Sequence, residues 1–192
     1  MWLCRRQGEY NSAAMTPETD QRHRPRDLIR LFNAAFAATE NTVLVRGGEE
    51  PLYLPADGRC PRHRILFAHG FFASALHEIA HWCIAGAKRR QLVEYGYWYR
   101  PDGRDAADQA EFERVEVRPQ ALEWAFSIAA GSPFRVSLDN LCGAPVDRDA
   151  FRCSVYEALR RYAERGFPRR AARFIDALGA HYGRRFELPP SP

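Results

Sequence analysis

The sequence predicts one α/β (α+β) domain, a small central sheet flanked by helices, with a zincin-like metal site on one helix. Three observations predict it. Short β-prone runs cluster between residues 42 and 68, and helical periodicity lies on both sides of them. One helical segment reads His77-Glu78-Ile79-Ala80-His81. The third observation is size. A chain of 192 residues with 46% apolar and 27% charged residues can build one packed core, which excludes wholesale disorder.

The elements follow in order. Residues 1–24 are polar and are expected to form a disordered extension, with the domain over 25–185 and a loose tail over 186–192. Met15 precedes Thr16-Pro17-Glu18, a good N-cap sequence, and is a candidate start. From Arg26 to Thr39 the apolar residues Leu28, Leu31, Phe32, Ala35 and Phe36 recur at helical spacing. Thr42-Val-Leu-Val-Arg46 reads as a strand stopped by Gly47-Gly48. Leu52-Tyr-Leu54, between Pro51 and Pro55, is a second strand, and Arg64-Ile-Leu-Phe-Ala68 a third. His69-Gly70 turns the chain into a helix over 73–85, which Gly86 is expected to end. Tyr95-Gly-Tyr-Trp-Tyr99 is aromatic and strand-like, with Pro101-Asp-Gly-Arg-Asp105 as a loop. A helix over 108–130 is expected to kink or divide at Pro119, which lacks an N–H and crowds the preceding turn. Residues 147–165 form another helix, ended by Gly166, and Pro168 starts a last one with Phe174, Ile175 and Leu178 inward.

Several function classes are disfavoured before any motif is considered. No stretch approaches the roughly 18 apolar residues of a membrane span. A net charge of +4 is too mild to indicate a nucleic-acid binder. Lys88 is the only lysine, a bias that reads as genome composition. Five cysteines without a CxxC pair fit neither a disulfide framework nor a cysteine zinc knuckle, so a reducing, cytoplasmic setting is expected. Met1-Trp-Leu-Cys-Arg-Arg6 has no apolar core of the kind a signal peptide carries.

The chemistry lies in the helix over 73–85. Residues four apart stand one turn above each other, so His77 and His81 can reach one metal ion with Glu78 on the neighbouring spoke. A mononuclear site needs a third protein ligand. The long zincin form would place Gly and His where Ile84 and Ala87 stand, so that family is excluded. A downstream carboxylate is the better candidate. Glu113, Glu116, Gln120 and Glu123 recur at spacings of three, four and three, a polar stripe set among Phe112, Val115, Val117, Ala121, Leu122 and Trp124. Glu116 ranks first and Glu113 second. Two histidines and a carboxylate admit two chemistries. Zinc, with Glu78 as general base, gives hydrolysis by a protease or nuclease. Iron(II) with open positions gives oxygen activation. A closed structural metal site in a non-enzymatic module is a third possibility, and spacing does not choose among them. His69 is a candidate further ligand or a plain turn histidine. Asp102 and Asp105 are candidate clamps for cationic groups or members of an internally paired turn.

The wider wording is specific. Leu54-Pro-Ala-Asp57, Phe67-Ala-His-Gly-Phe71, His77-Glu-Ile79, His81-Trp-Cys-Ile-Ala-Gly86, Gly96-Tyr-Trp-Tyr99, Pro101-Asp-Gly-Arg-Asp-Ala106, Val115-Glu-Val117 and Pro119-Gln-Ala-Leu122 occur in this order. Over about residues 26–182 the chain resembles the bacterial elongation factor P hydroxylase family, EpmC or YfcM. The resemblance implies a YbeY-like α/β metal fold. It also implies a cytoplasmic, oxygen-using hydroxylase of the β-lysylated lysine of elongation factor P, acting on neither nucleic acid nor membrane. It implies a 2-His-1-carboxylate site, His77 and His81 with Glu116 as third ligand, holding Fe(II) with molecular oxygen as co-substrate. Glu78 is the catalytic candidate beside them. Asp102, Asp105 and Glu113 are candidates for meeting the positive amines of the substrate arm.

Overall fold

In the computed structural model, which describes residues 22–96, 103–138 and 145–192, a three-stranded sheet is packed among five helices. The first helix, α1 (Pro25–Phe36), starts with proline, whose fixed φ suits a first turn, and buries Leu28, Phe32 and Phe36 at helical spacing. Asn33 ties it to the next element. Its Oδ1 accepts from the Leu44 N–H at 2.7 Å, and its Nδ2 donates to the Leu44 carbonyl at 3.3 Å.

The strands β1 (Thr42–Arg46), β2 (Leu52–Leu54) and β3 (His63–Phe67) lie in the order β1-β3-β2. β1 runs parallel to β3 and β2 antiparallel, so Leu44 and Tyr53 flank Ile65 in register. Leu44, Tyr53, Ile65 and Phe67 are buried, the alternation expected of strands with one face on the core. At the end of β3, His69 (φ 51°) and Gly70 (φ 69°) reverse the chain. Glycine suits position 70 because its φ lies where side chains rarely go, and a Cβ there, 2.6 Å from the Arg46 guanidinium, would also make that flexible side chain shift.

The turn delivers α2 (Phe72–Ile84), where Ala75, Leu76, Ile79, Ala80, Trp82 and Cys83 are buried. α3 (Ala106–Ala130) packs against α2 and also against α4 (Arg148–Arg165) and α5 (Arg169–Tyr182). Trp82 makes edge contacts with Phe32 and Phe36 at 5.0 and 4.9 Å, and Phe174 does so with Phe126 at 5.2 Å. This aromatic cluster joins α1, α2, α3 and α5.

Two sequence expectations are corrected. α3 is not divided at Pro119 and runs for 25 residues through it. The missing N–H costs one hydrogen bond, to the Val115 carbonyl, at about 3 kcal/mol. Nearly every residue from Gln120 to Ala130 is buried, and that packing outweighs the loss. Tyr95 is not in a strand either. It lies in a short turn (Val93–Gly96) in which Glu94, Tyr95 and Gly96 all have positive φ. Tyr97, Trp98 and Tyr99 lie outside the described residues. Helix α2 ends at Ala85 in an extended conformation, one residue before Gly86. After α5 no regular element follows, and the Tyr156 hydroxyl donates to the Pro189 carbonyl at 2.9 Å.

The C-terminal end of α2 is closed by Arg170 of α5. Its Nη2 donates to the carbonyls of Trp82, Cys83 and Ala85 at 3.0, 3.1 and 2.6 Å, and the guanidinium lies 4.6 Å from the Trp82 ring centroid. The charge also suits the negative end of the helix dipole, and Glu40 balances it at 3.8 Å. Arg170→Ala leaves these carbonyls without their donor, so stability is expected to fall by about 2–3 kcal/mol. Urea unfolding of the purified variant measures this, and an unchanged midpoint would remove Arg170 from the account of α2. Arg170→Lys is expected to recover only part of the loss, because an ammonium keeps the charge and three donors but lacks the planar guanidinium that lies over the Trp82 ring.

Candidate metal centre

His77 and His81 lie on the face of α2 that meets α3, and α3 brings Glu116 to them from the opposite side. One ligand atom from each of the three falls within 4.8 Å of the others. His77 Nε2 and His81 Nε2 are 3.0 Å apart. Glu116 Oε1 is 3.2 Å from His81 Nε2, and Glu116 Oε2 is 3.5 Å from His77 Nε2. Donor atoms held about 2.0–2.1 Å from one ion, at angles between 90° and 110°, stand roughly 2.9–3.4 Å apart. The spacing and the donor types therefore fit a single divalent ion.

The carboxylate of Glu116 is buried. Gln120, one turn on, donates from Nε2 to Glu116 Oε2 at 3.3 Å and to the Ser137 carbonyl at 2.7 Å. Gln120 Oε1 accepts from the Ser137 N–H at 3.0 Å, so the residues after α3 are fastened to the carboxylate. Burial alone would raise the pKa of Glu116. The charge and hydrogen bond of His81, the charge of His77 and the bond from Gln120 outweigh it and bring the pKa to about 2. Burial likewise works against a charged His77. The hydrogen bond to Glu123 and the charges of Glu116, Glu123 and Glu78 overcome it and raise its pKa from 6.5 to about 10.

These shifts set the pH response of the metal-free protein. The raised pKa of His77 contributes stability that is complete below 6.5 and is lost as the pH climbs to about 10. The depressed pKa of Glu116 contributes stability that is complete above 4.5 and is lost as the pH falls to about 2. The chelated protein is therefore expected to melt at its highest temperature between about pH 4.5 and 6.5, and progressively lower toward pH 10. A melting temperature that stayed level across that alkaline range would contradict a charged His77 held between carboxylates.

Comparison with known proteins follows from this geometry. A profile of the elongation factor P hydroxylases matches residues 31–190. The chain belongs to the elongation factor P hydroxylase family. The elongation factor P lysine hydroxylase of Haemophilus influenzae is 52% identical over 160 residues, covering 83% of this chain and 90% of that protein.

In this member of the elongation factor P hydroxylase family the other candidates are placed as follows. Glu78, half-buried beside the two histidines, has no hydrogen-bond partner among the described residues. Its pKa is raised by burial, partly offset by the charges of His77 and His81. Glu113 accepts from Gln109 Nε2 at 2.9 Å, and Gln109 in turn accepts from the buried Arg104 at 2.9 Å. Asp105 is the N-cap of α3, where its Oδ1 accepts from the Ala107 and Asp108 N–H groups, each at 2.9 Å. Asp102 lies outside the described residues. His69 sits in the exposed turn after β3, 3.6 Å from Glu49, and takes no part in the three-residue group. No described helix is long and apolar enough to cross a membrane.

Glu94 is the neighbour that sequence reading missed. Its Oε1 accepts from the N–H of Tyr53, on the sheet-edge strand β2, in a short hydrogen bond. Burial raises its pKa, against the opposing effects of that bond and of His81. Glu94 and Tyr95 are consecutive non-glycine residues with φ of 51° and 56°, a conformation costing roughly 1–2 kcal/mol per residue. No periodicity announces such a turn. Glu123 and Gln120 were legible only as members of the polar stripe.

Proposed function

We propose that this protein hydroxylates the β-lysylated lysine side chain of elongation factor P in the cytoplasm, using Fe(II) and molecular oxygen. One observation carries the reading: a half-buried pair of imidazoles and a buried carboxylate converge within 4.8 Å in a chain 52% identical to an elongation factor P lysine hydroxylase. His77, His81 and Glu116 hold the ion in this reading. A ferrous ion with three protein ligands supplies the oxygen activation that hydroxylating an unactivated C–H bond requires, and which zinc does not provide.

The protein's own groups prepare the site. Gln120 keeps both oxygens of Glu116 turned toward the histidines. Burial of the carboxylate against α2 excludes water from that side. Glu78, next to the group, has no hydrogen-bond partner among the described residues, and its burial favours holding a proton at the carboxyl, so it serves as the proton-handling residue. The amines of the substrate arm call for acidic partners. Asp105 and Glu113 each use one carboxylate oxygen in the bonds above, and the second oxygen of each is available to the outer amine.

The test uses purified β-lysylated elongation factor P and protein prepared without oxygen. With ferrous ion, a two-electron reductant such as ascorbate, and then air, the intact mass of the factor is expected to rise by one oxygen atom, the second oxygen leaving as water. With zinc it should stay unchanged. No mass gain in any metal form, from protein that binds iron, would overturn the hydroxylase reading.

A further inference from the structure

The geometry points to Glu123 as a positioning residue: it holds the His77 ring by its Nδ1 and thereby aims Nε2 at the ion. This rests on the metal reading above. Glu123 Oε2 lies 2.8 Å from His77 Nδ1. A carboxylate accepts and does not donate, so Nδ1 carries a proton, and Nε2 is the nitrogen that faces His81 and Glu116 and gives up its own proton when an ion binds. Nδ1 and Nε2 are on opposite sides of the ring. Glu123 therefore meets the imidazole where the ion does not, and it stands outside the three-residue group.

The surroundings argue that this contact is the reason for the residue. Glu123 is only 8% exposed and sits in a run of buried residues, Ala121, Leu122, Trp124, Ala125 and Phe126. A carboxylate in such a run costs stability unless it is paired, and packing alone would favour an apolar side chain. Its one described hydrogen bond is the one to His77. It lies seven residues after Glu116, two turns along the same face of α3, so one helix supplies both the third ligand and the support of the first. The two histidines are thus unequal. His81 has no partner on its Nδ1 among the described residues, and the ring of His77 is the one held in a set orientation. Partners of this kind typically account for 10–100-fold in metal affinity.

The experiment titrates chelator-stripped protein with Co(II) under nitrogen, reading the dissociation constant and the visible absorption, and records the melting temperature of each metal-free protein. Glu123→Ala is expected to weaken Co(II) binding about 10–100-fold and to change the band shape. Glu123→Gln keeps an acceptor but not the charge, so it should recover part of the loss. Glu113→Gln should bind as the native protein does. A merely structural role would lower the melting temperature and leave the spectrum of the bound ion unaltered. Should Glu123→Ala not fold, the affinity and spectrum of Glu123→Gln decide the question. Native affinity and spectrum in both Glu123 variants would overturn the inference while the metal reading stands. Failure of the native protein to bind Co(II) would overturn the metal reading itself.

Discussion

His81→Ala is expected to lose both its metal and all measurable hydroxylation of elongation factor P, while circular dichroism of the stripped protein stays close to native and its melting falls only by the loss of the contact with Glu116. The proposed site has three protein ligands, and the described residues show no other group that could hold an ion. His81 is partly exposed on its helix, and the neighbouring Ala80, Trp82 and Cys83 carry the packing, so removal of the ring leaves the core intact. Alanine also suits a helix interior. The loss should exceed the roughly 10–100-fold that follows from removing an outer hydrogen-bonding partner. Metal content by elemental analysis and product mass should fall together. A fully active His81→Ala protein would remove the metal hypothesis.

Glu116→Gln and Glu113→Gln, made side by side, are expected to differ sharply. Glu116 contacts both histidines at 3.2 and 3.5 Å, whereas Glu113 is bonded to Gln109, toward the start of α3. Glutamine at 116 keeps the shape but removes the negative charge that balances a dication. Iron should be lost from Glu116→Gln by at least tenfold in affinity, with hydroxylation lost as well. Glu113→Gln should retain its iron, with any defect confined to the concentration of elongation factor P needed for half-maximal rate. Iron analysis of the two proteins, purified without oxygen, tests this. The reverse pattern would move the third ligand to Glu113. Metal retained in both would place the carboxylate elsewhere in the chain.

The outline of the site was legible because its parts obey helical periodicity. His77 and His81 are four apart, and Glu116, Gln120 and Glu123 share one face of a second helix, so sequence spacing alone aligned each set. Spacing within a helix says nothing about the partner of each side chain across the interface. Glu123 therefore reads only as a member of the polar stripe in the sequence, and it is the packing of α3 that lays it against Nδ1 of His77. The sheet was legible from short β-branched and aromatic runs, but its order was not. That β3 lies in the middle depends on pairing between distant strands, which no local pattern encodes. Tyr95 misled for a related reason: as the first of several alternating aromatics it matches a strand, and the left-handed pair Glu94–Tyr95 is held by long-range contacts such as the bond to Tyr53. Pro119 misled because a local rule was outweighed by burial on all sides.

The closure of α2 by Arg170 has a consequence for the order of biosynthesis. A ribosome releases His77 and His81 first and Glu116 some forty residues later, about in the middle of the work, and supplies the arginine that seals the helix only near the end. A nonsense codon or frameshift between Glu116 and Arg170 would yield a polypeptide with all three of the proposed ion-binding side chains but an open helix end and no α5 to complete the aromatic cluster. Such fragments should be cleared by cellular proteases instead of accumulating as partly active enzyme or as a sink for iron.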